Sequence, residues 1–114
     1  MKISEIRDLL DAEVLCGADQ LDREVTSACC SDMMSDVLAY VKDQGVLLTG
    51  LVNAQVIRTA NMMDMVCIVF VRSKTPTEDM IELADECGIV VMRSELRAYD
   101  ACGILYSNGL GREV

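Results

Sequence analysis

Histidine and tryptophan are absent from this sequence, and it has one phenylalanine and one proline. Without histidine no Ser-His or Cys-His nucleophile can be assembled. The same absence, with no C-x-x-C spacing among the cysteines, excludes zinc-finger and thioredoxin-type chemistry. Aromatic residues make up only 4% of the chain, too few for a platform that stacks single-stranded bases. Basic residues are scarce as well: ten Lys and Arg face nineteen Asp and Glu, for a net charge of −9. Binding to nucleic acid or anionic lipid draws on phosphate neutralisation by Lys and Arg, so neither is an expected partner. No apolar run approaches the length that crosses a bilayer. The start, Met1-Lys2-Ile3-Ser4-Glu5, lacks the basic and apolar regions of a signal peptide, so a cytoplasmic location is expected. The phosphate-binding loop G-x-x-x-x-G-K-[ST] and the dinucleotide fingerprint G-x-G-x-x-G are both missing.

What is present fits one domain spanning residues 1–114, with 52% apolar residues to fill a core of Val, Ile, Leu, Met, Ala and Cys. Six cysteines stand at positions 16, 29, 30, 67, 87 and 102. Cys67 lies within Val66-Cys67-Ile68-Val69-Phe70-Val71, where a thiol behaves as a small buried hydrophobe, and the expectation is unpaired, mostly buried thiols. A redox or iron–sulfur role would rest on adjacent Cys29 and Cys30, but neighbours on a strand point to opposite faces.

Apolar spacing predicts an alternation of helices and strands. Residues 3–10 read as a helix carrying Ile6, Leu9 and Leu10 on one face, with Ser4 as its cap. Short strands follow at 14–16 and 25–30. A helix from Ser31 or Asp32 to about residue 40 turns Met34, Val37, Leu38 and Val41 inward. A strand at 46–49 ends on Gly50, and Asn53 caps a helix lined by Val56, Ile57, Ala60 and Met63. Residues 65–71 are apolar without alternation, the pattern of a central strand covered on both faces. Thr75, Pro76 and Glu78 suggest the start of a helix that buries Met80, Ile81, Ala84 and Cys87 and leaves Glu82, Asp85 and Glu86 in water. Gly88 ends it. A strand at 89–92 follows, and Ser94 opens a last helix reaching Asn108 and Gly109. The fold class expected is a three-layer α/β/α domain with a mostly parallel sheet.

No catalytic residue and no cofactor or metal site is indicated; the carboxylates at 78, 79, 82, 85 and 86 fall on a solvated helical face. Ligands of open α/β sheets settle beyond the carboxyl ends of the strands, where helix N-termini aim their amides. There the chain places Thr49, Gly50, Arg72, Ser73, Lys74, Arg93 and Ser94, with Arg97 alongside, a candidate rim for a phosphate or carboxylate. The last helix is apolar on most of its surface. Leu96, Tyr99, Cys102, Gly103 and Tyr106 supply the stripe expected on the sheet. Ala98, Ala101, Ile104 and Leu105 are then left for a second surface, the candidate interface of a homodimer.

Leu48-Thr49-Gly50, the segment Gln55 to Ala60, Ile68 to Val71, Pro76, and the helix with Ile81, Leu83 and Ala84 leading to Gly88-Ile89 resemble the DRTGG domain family over roughly residues 3 to 107. Val52 and Asn53 stand where that family's Asp-Arg pair is expected, and Val71, Arg72 and Ser73 where Thr-Gly-Gly is expected. The resemblance implies a fold like the N-terminal domain of HPr kinase/phosphorylase, a regulatory and non-catalytic role, and self-association. The expected partners are a second copy, a small ligand of unidentified chemistry that is anionic or nucleotide-like, and a regulatory or metabolic enzyme. The alternatives are a dimerising adaptor without a ligand, and a small thiol- or carboxylate-dependent enzyme.

Overall fold

The computed structural model describes residues 1–40 and 44–111. Its elements are α1 (Ile3–Leu10), β1 (Glu13–Cys16), a 3-10 turn (Ala18–Gln20), β2 (Ser27–Cys30), α2 (Met34–Tyr40), β3 (Gly45–Thr49), α3 (Ala54–Met62), β4 (Cys67–Phe70), α4 (Glu78–Glu86), β5 (Val90–Arg93) and α5 (Ala98–Ser107). The strands form one sheet in the order β1-β5-β4-β3-β2. β2, β3, β4 and β5 run parallel, and β1 closes one edge antiparallel to β5. The mostly parallel α/β sheet expected from the alternation is what forms.

Strand alternation divides the core in two. Val46, Leu48, Cys67, Val69, Val90 and Met92 face α1 and α5, and cluster with Ile3, Ile6, Leu10, Ala101 and Leu105. Leu47, Ile68, Phe70 and Val91 face α2, α3 and α4, and cluster with Val37, Val56, Ile57, Ala60, Met80 and Ala84. β4 is therefore buried on both sides, which is why residues 65–71 carry no polar alternation. One face of the sheet carries two helices and the other three. The shorter layer leaves the α5 side of β2 uncovered: Ala28 and Cys30, which share a face with Val46 and Leu48, are exposed.

Several local expectations are corrected. α1 is entered at Lys2, whose backbone N–H donates to the Glu5 carboxylate at 3.1 Å, so Ser4 lies inside the helix. Leu38 is 43% exposed, because the one face of α2 that meets the sheet is used by Val37. The inward role expected of Val41 lies outside the described residues. α4 is capped by Thr77, not Thr75: the Thr77 hydroxyl accepts from the Met80 N–H at 3.2 Å, and Glu78 becomes the first helical residue. Pro76 thus precedes the cap and holds the chain out of the helix. Ser94 does not cap α5, which begins four residues later. Its hydroxyl is buried, donates to the Leu10 carbonyl at 2.9 Å and accepts from the Leu96 N–H at 3.2 Å. At Gly17, with φ of 83°, the backbone passes so close to Val90 that a Cβ would sit 2.8 Å from Val90 Cγ2.

Candidate functional site

The crevice beyond the carboxyl ends of β3 and β4 is occupied by the protein's own groups. Asp32, just after β2, accepts hydrogen bonds from the Thr49 hydroxyl and the Gly50 N–H, both at 2.9 Å, and pairs with Arg72 Nη2 at 3.4 Å. The Arg72 guanidinium lies against Gly50, so a Cβ there would have to push the guanidinium aside. An anion does bind this part of the rim, and it is the Asp32 carboxylate. The Gly50 N–H, burial (in the opposing sense), the Thr49 hydroxyl and Arg72 set its acidity, and the net effect holds its pKa below the ordinary 3.8.

Of the rim residues named from the sequence, Thr49, Gly50 and Arg72 come together around Asp32. The others do not join them. Arg93 reaches the opposite way, pairing with Glu13 on β1 at 3.6 Å and donating from Nε to the Ser73 carbonyl at 3.4 Å. Ser94 is buried under Leu10, Lys74 is exposed, and Arg97 pairs with Asp100 at 3.0 Å. Arg72 and Ser73 take left-handed backbone conformations, with φ of 59° and 57°. For residues with a Cβ each such conformation costs about 1–2 kcal/mol. The turn is held by the Arg72 N–H on the Leu96 carbonyl at 2.8 Å and the Ser73 N–H on the Ser94 carbonyl at 3.0 Å.

Removing the carboxylate tests this reading. Asp32→Ala is expected to destabilise the domain by about 1–2 kcal/mol, because it strands the buried Thr49 hydroxyl and the Gly50 N–H. Asp32→Asn, which retains an acceptor, is expected to cost about half of that, the exposed Arg72 pair adding little. Because folding makes Asp32 more acidic, its charge contributes stability in full above the ordinary carboxylate value of 3.8 and loses it as pH falls through the lower folded value. The gap in urea midpoints between wild type and Asp32→Asn should therefore begin to narrow as pH falls below 3.8. A constant gap between the two would show that the charge plays no part.

A second opening lies elsewhere. A groove of 970 Å³ runs between α5 and the uncovered side of β2. Ala28, Cys30 and Leu48 form its floor, with Cys102, Gly103 and Tyr106 on the α5 side. Tyr99 and Tyr106 are 83% and 64% exposed, and among the described residues Asp100 is the one charged side chain in the lining. This reverses the expected faces of α5. Ala101 and Leu105 are in the core, and Ala98 and Ile104 are partly buried against it, so this set does not form an outward interface. The alanines bring the helix axis close to the sheet, and the larger tyrosines stay on the exposed side. The stripe of Tyr99, Gly103 and Tyr106 is visible in the sequence, but it faces outward and not onto the sheet as expected.

The six cysteines are all unpaired, but only Cys67 is fully buried; Cys30 is exposed and the other four are intermediate. β2 turns Cys29 and Cys30 to opposite faces, as expected for neighbours on a strand. Although Cys30 is exposed as a residue, partial desolvation of its sulfur first, then hydrogen bonding with Cys102, pushes the thiol up to about 12. Burial also raises Cys16, Cys29 and Cys67. Thiols so shifted are protonated at neutral pH and are poor nucleophiles. Among the described residues, no group of three acidic or cysteine side chains is placed to hold a metal ion.

A model of the DRTGG domain matches residues 5–107. The chain belongs to the DRTGG domain family. Two family positions can now be read physically. Arg72 and Ser73, where the resemblance leads one to expect the family's two glycines, take the positive φ that glycine adopts without strain. Among solved structures, this DRTGG domain is similar to the CBS and DRTGG domains of the regulatory region of Clostridium perfringens pyrophosphatase, complexed with its activator diadenosine tetraphosphate. The TM-score is 0.73 at 16% identity, over 91% of this chain and 45% of that one, so the two share a fold and the chain spans less than half of its neighbour. No curated protein matches the sequence. No helix among the described residues is long and apolar enough to cross a membrane.

Proposed function

We propose that this DRTGG domain is a non-catalytic regulatory module that senses a small ligand in the groove between α5 and β2 and works as a homodimer. The observation that carries the reading is the groove itself. Its 970 Å³ is the size of a small-molecule site, its floor is apolar, and its few polar groups lie at the rim. The Tyr99 and Tyr106 rings offer π-faces to a planar heterocycle. The Asp100 carboxylate offers an acceptor to an amine or a ribose hydroxyl. Among the described residues the lining holds no cation, and with a net charge of −9 on the chain the groove suits a nucleoside better than a bare polyanion. The regulatory region of the pyrophosphatase is complexed with an adenine dinucleotide as activator, which makes adenosine compounds the first class to test here. The missing histidine favours regulation over catalysis. The regulated partner would be a metabolic enzyme.

Thermal melts with adenosine, ATP, diadenosine tetraphosphate and inorganic phosphate test the proposal. A ligand at 100 times its Kd adds about 2.7 kcal/mol, a rise of several degrees. The rise is expected with an adenosine compound and should vanish in Ala28→Phe, which fills the groove floor. If no nucleotide moves the melt, or the shift persists in Ala28→Phe, the groove is not the sensing site.

A further inference from the structure

Gly103 stands in the interior of α5, where glycine is destabilising relative to alanine. Nothing within the chain requires it. Its φ is not positive, and a Cβ built there would meet no atom within 4 Å. It is exposed, midway along an outward stripe with Tyr99 four residues before and Tyr106 three residues after. The hollow thus lies between two protruding aromatic rings on the same helix.

The surroundings of this stripe are uncharged in a chain that is strongly acidic. Residues 101–111 and 25–31, the two walls of the groove, contain no Asp, Glu, Lys or Arg, and Asp100 is neutralised by Arg97 at 3.0 Å. Among the described residues a basic partner would find a single carboxylate there, Asp100, already engaged by Arg97. A second copy, itself at −9, meets least repulsion at this patch. The two-helix layer also leaves beside α5 the space that a third helix fills on the opposite face.

We infer that two copies associate about a twofold axis with their α5 helices crossing at Gly103, each copy seating a tyrosine in the hollow left by the other's glycine. A hollow flanked on both sides by projections is self-complementary under twofold rotation, which is what an isologous interface requires. In this arrangement each groove is roofed by α5 of the second copy, so the open site becomes an enclosed one. The inference rests on the homodimer reading and specifies its surface.

Sedimentation equilibrium of wild type, Gly103→Ala and Gly103→Lys, at concentrations from below one to several tens of micromolar, tests it. Urea melts are taken in parallel at the lowest concentration. Wild type is expected to dimerise. Gly103→Ala should weaken the dimer at least tenfold while the dilute monomer unfolds at higher urea, since alanine favours the helix and fits without a clash. Gly103→Lys should be monomeric and folded. The opposite signs of the two effects separate an interface role from a role within the monomer. A dimer whose dissociation constant is unmoved by Gly103→Lys would overturn this surface and leave the homodimer reading intact. A wild type that stays monomeric at tens of micromolar would overturn both.

Discussion

Ala101→Glu is expected to unfold the domain. Ala101 is fully buried, within a cluster whose buried members are all apolar, including Ile3, Ile6, Val69 and Leu105. A carboxylate there has no cation to pair with, and an uncompensated buried charge costs about 3–5 kcal/mol. Forcing the longer side chain between α5 and the sheet adds about 1–3 kcal/mol. A chain of 114 residues has a total stability of about 6–17 kcal/mol at the usual 0.05–0.15 per residue. The substitution therefore removes a large share of it, and circular dichroism in urea should show an unfolded or barely folded chain. Tyr99→Glu, on the same helix at 83% exposure, should stay within about 0.5 kcal/mol of wild type when both are dilute enough to be monomeric. If Ala101→Glu melted like wild type, the two faces of α5 would have to be exchanged.

Phe70→Ala is expected to cost about 3–5 kcal/mol. It is the only phenylalanine, fully buried on central strand β4, and it faces the layer built from α2, α3 and α4. Removing the ring leaves a cavity that the surrounding Ile57, Met80 and Val91 cluster can close only in part. Phe70→Leu, which retains most of the volume, should cost under about 1.5 kcal/mol. The damage would reach the strand ends as well. Phe70 pairs with Thr49 and Arg93 across the ladder, and its carbonyl accepts from the Ser94 N–H at 2.8 Å. A loss below 1 kcal/mol in urea unfolding would place Phe70 outside the packed centre.

The framework was legible because it is written in periodicity. Unbroken apolar character at 65–71 can only be satisfied by cover on both faces, and β4 has it. The antiparallel edge was not legible, because pairing direction leaves no mark on four residues such as Glu13–Cys16. The cap of α4 was misplaced because Thr75 and Thr77 flank Pro76 and carry the same hydroxyl; only the path of the chain selects between them. The rim was legible as positions and not as directions. Arg72 and Arg93 both follow strands, yet one turns to Asp32 and the other to Glu13, choices made by long side chains after folding. The faces of α5 were exchanged for a related reason. Hydrophobicity alone ranks tyrosine with the core, whereas close approach to a sheet selects alanine and leaves the larger tyrosines on the exposed side. The groove had no signature of its own, since it arises from a helix layer one member short.

The groove as the working site can be tested by following backbone amide resonances while the adenosine compound that raises the melting temperature is titrated in. Shifts are expected at residues 27–30 and 99–111, lining the groove, with Gly50, Arg72 and Ser73 unmoved. Shifts confined to Gly50, Arg72, Ser73 and Lys74, or no shift along the groove at saturation, would contradict it.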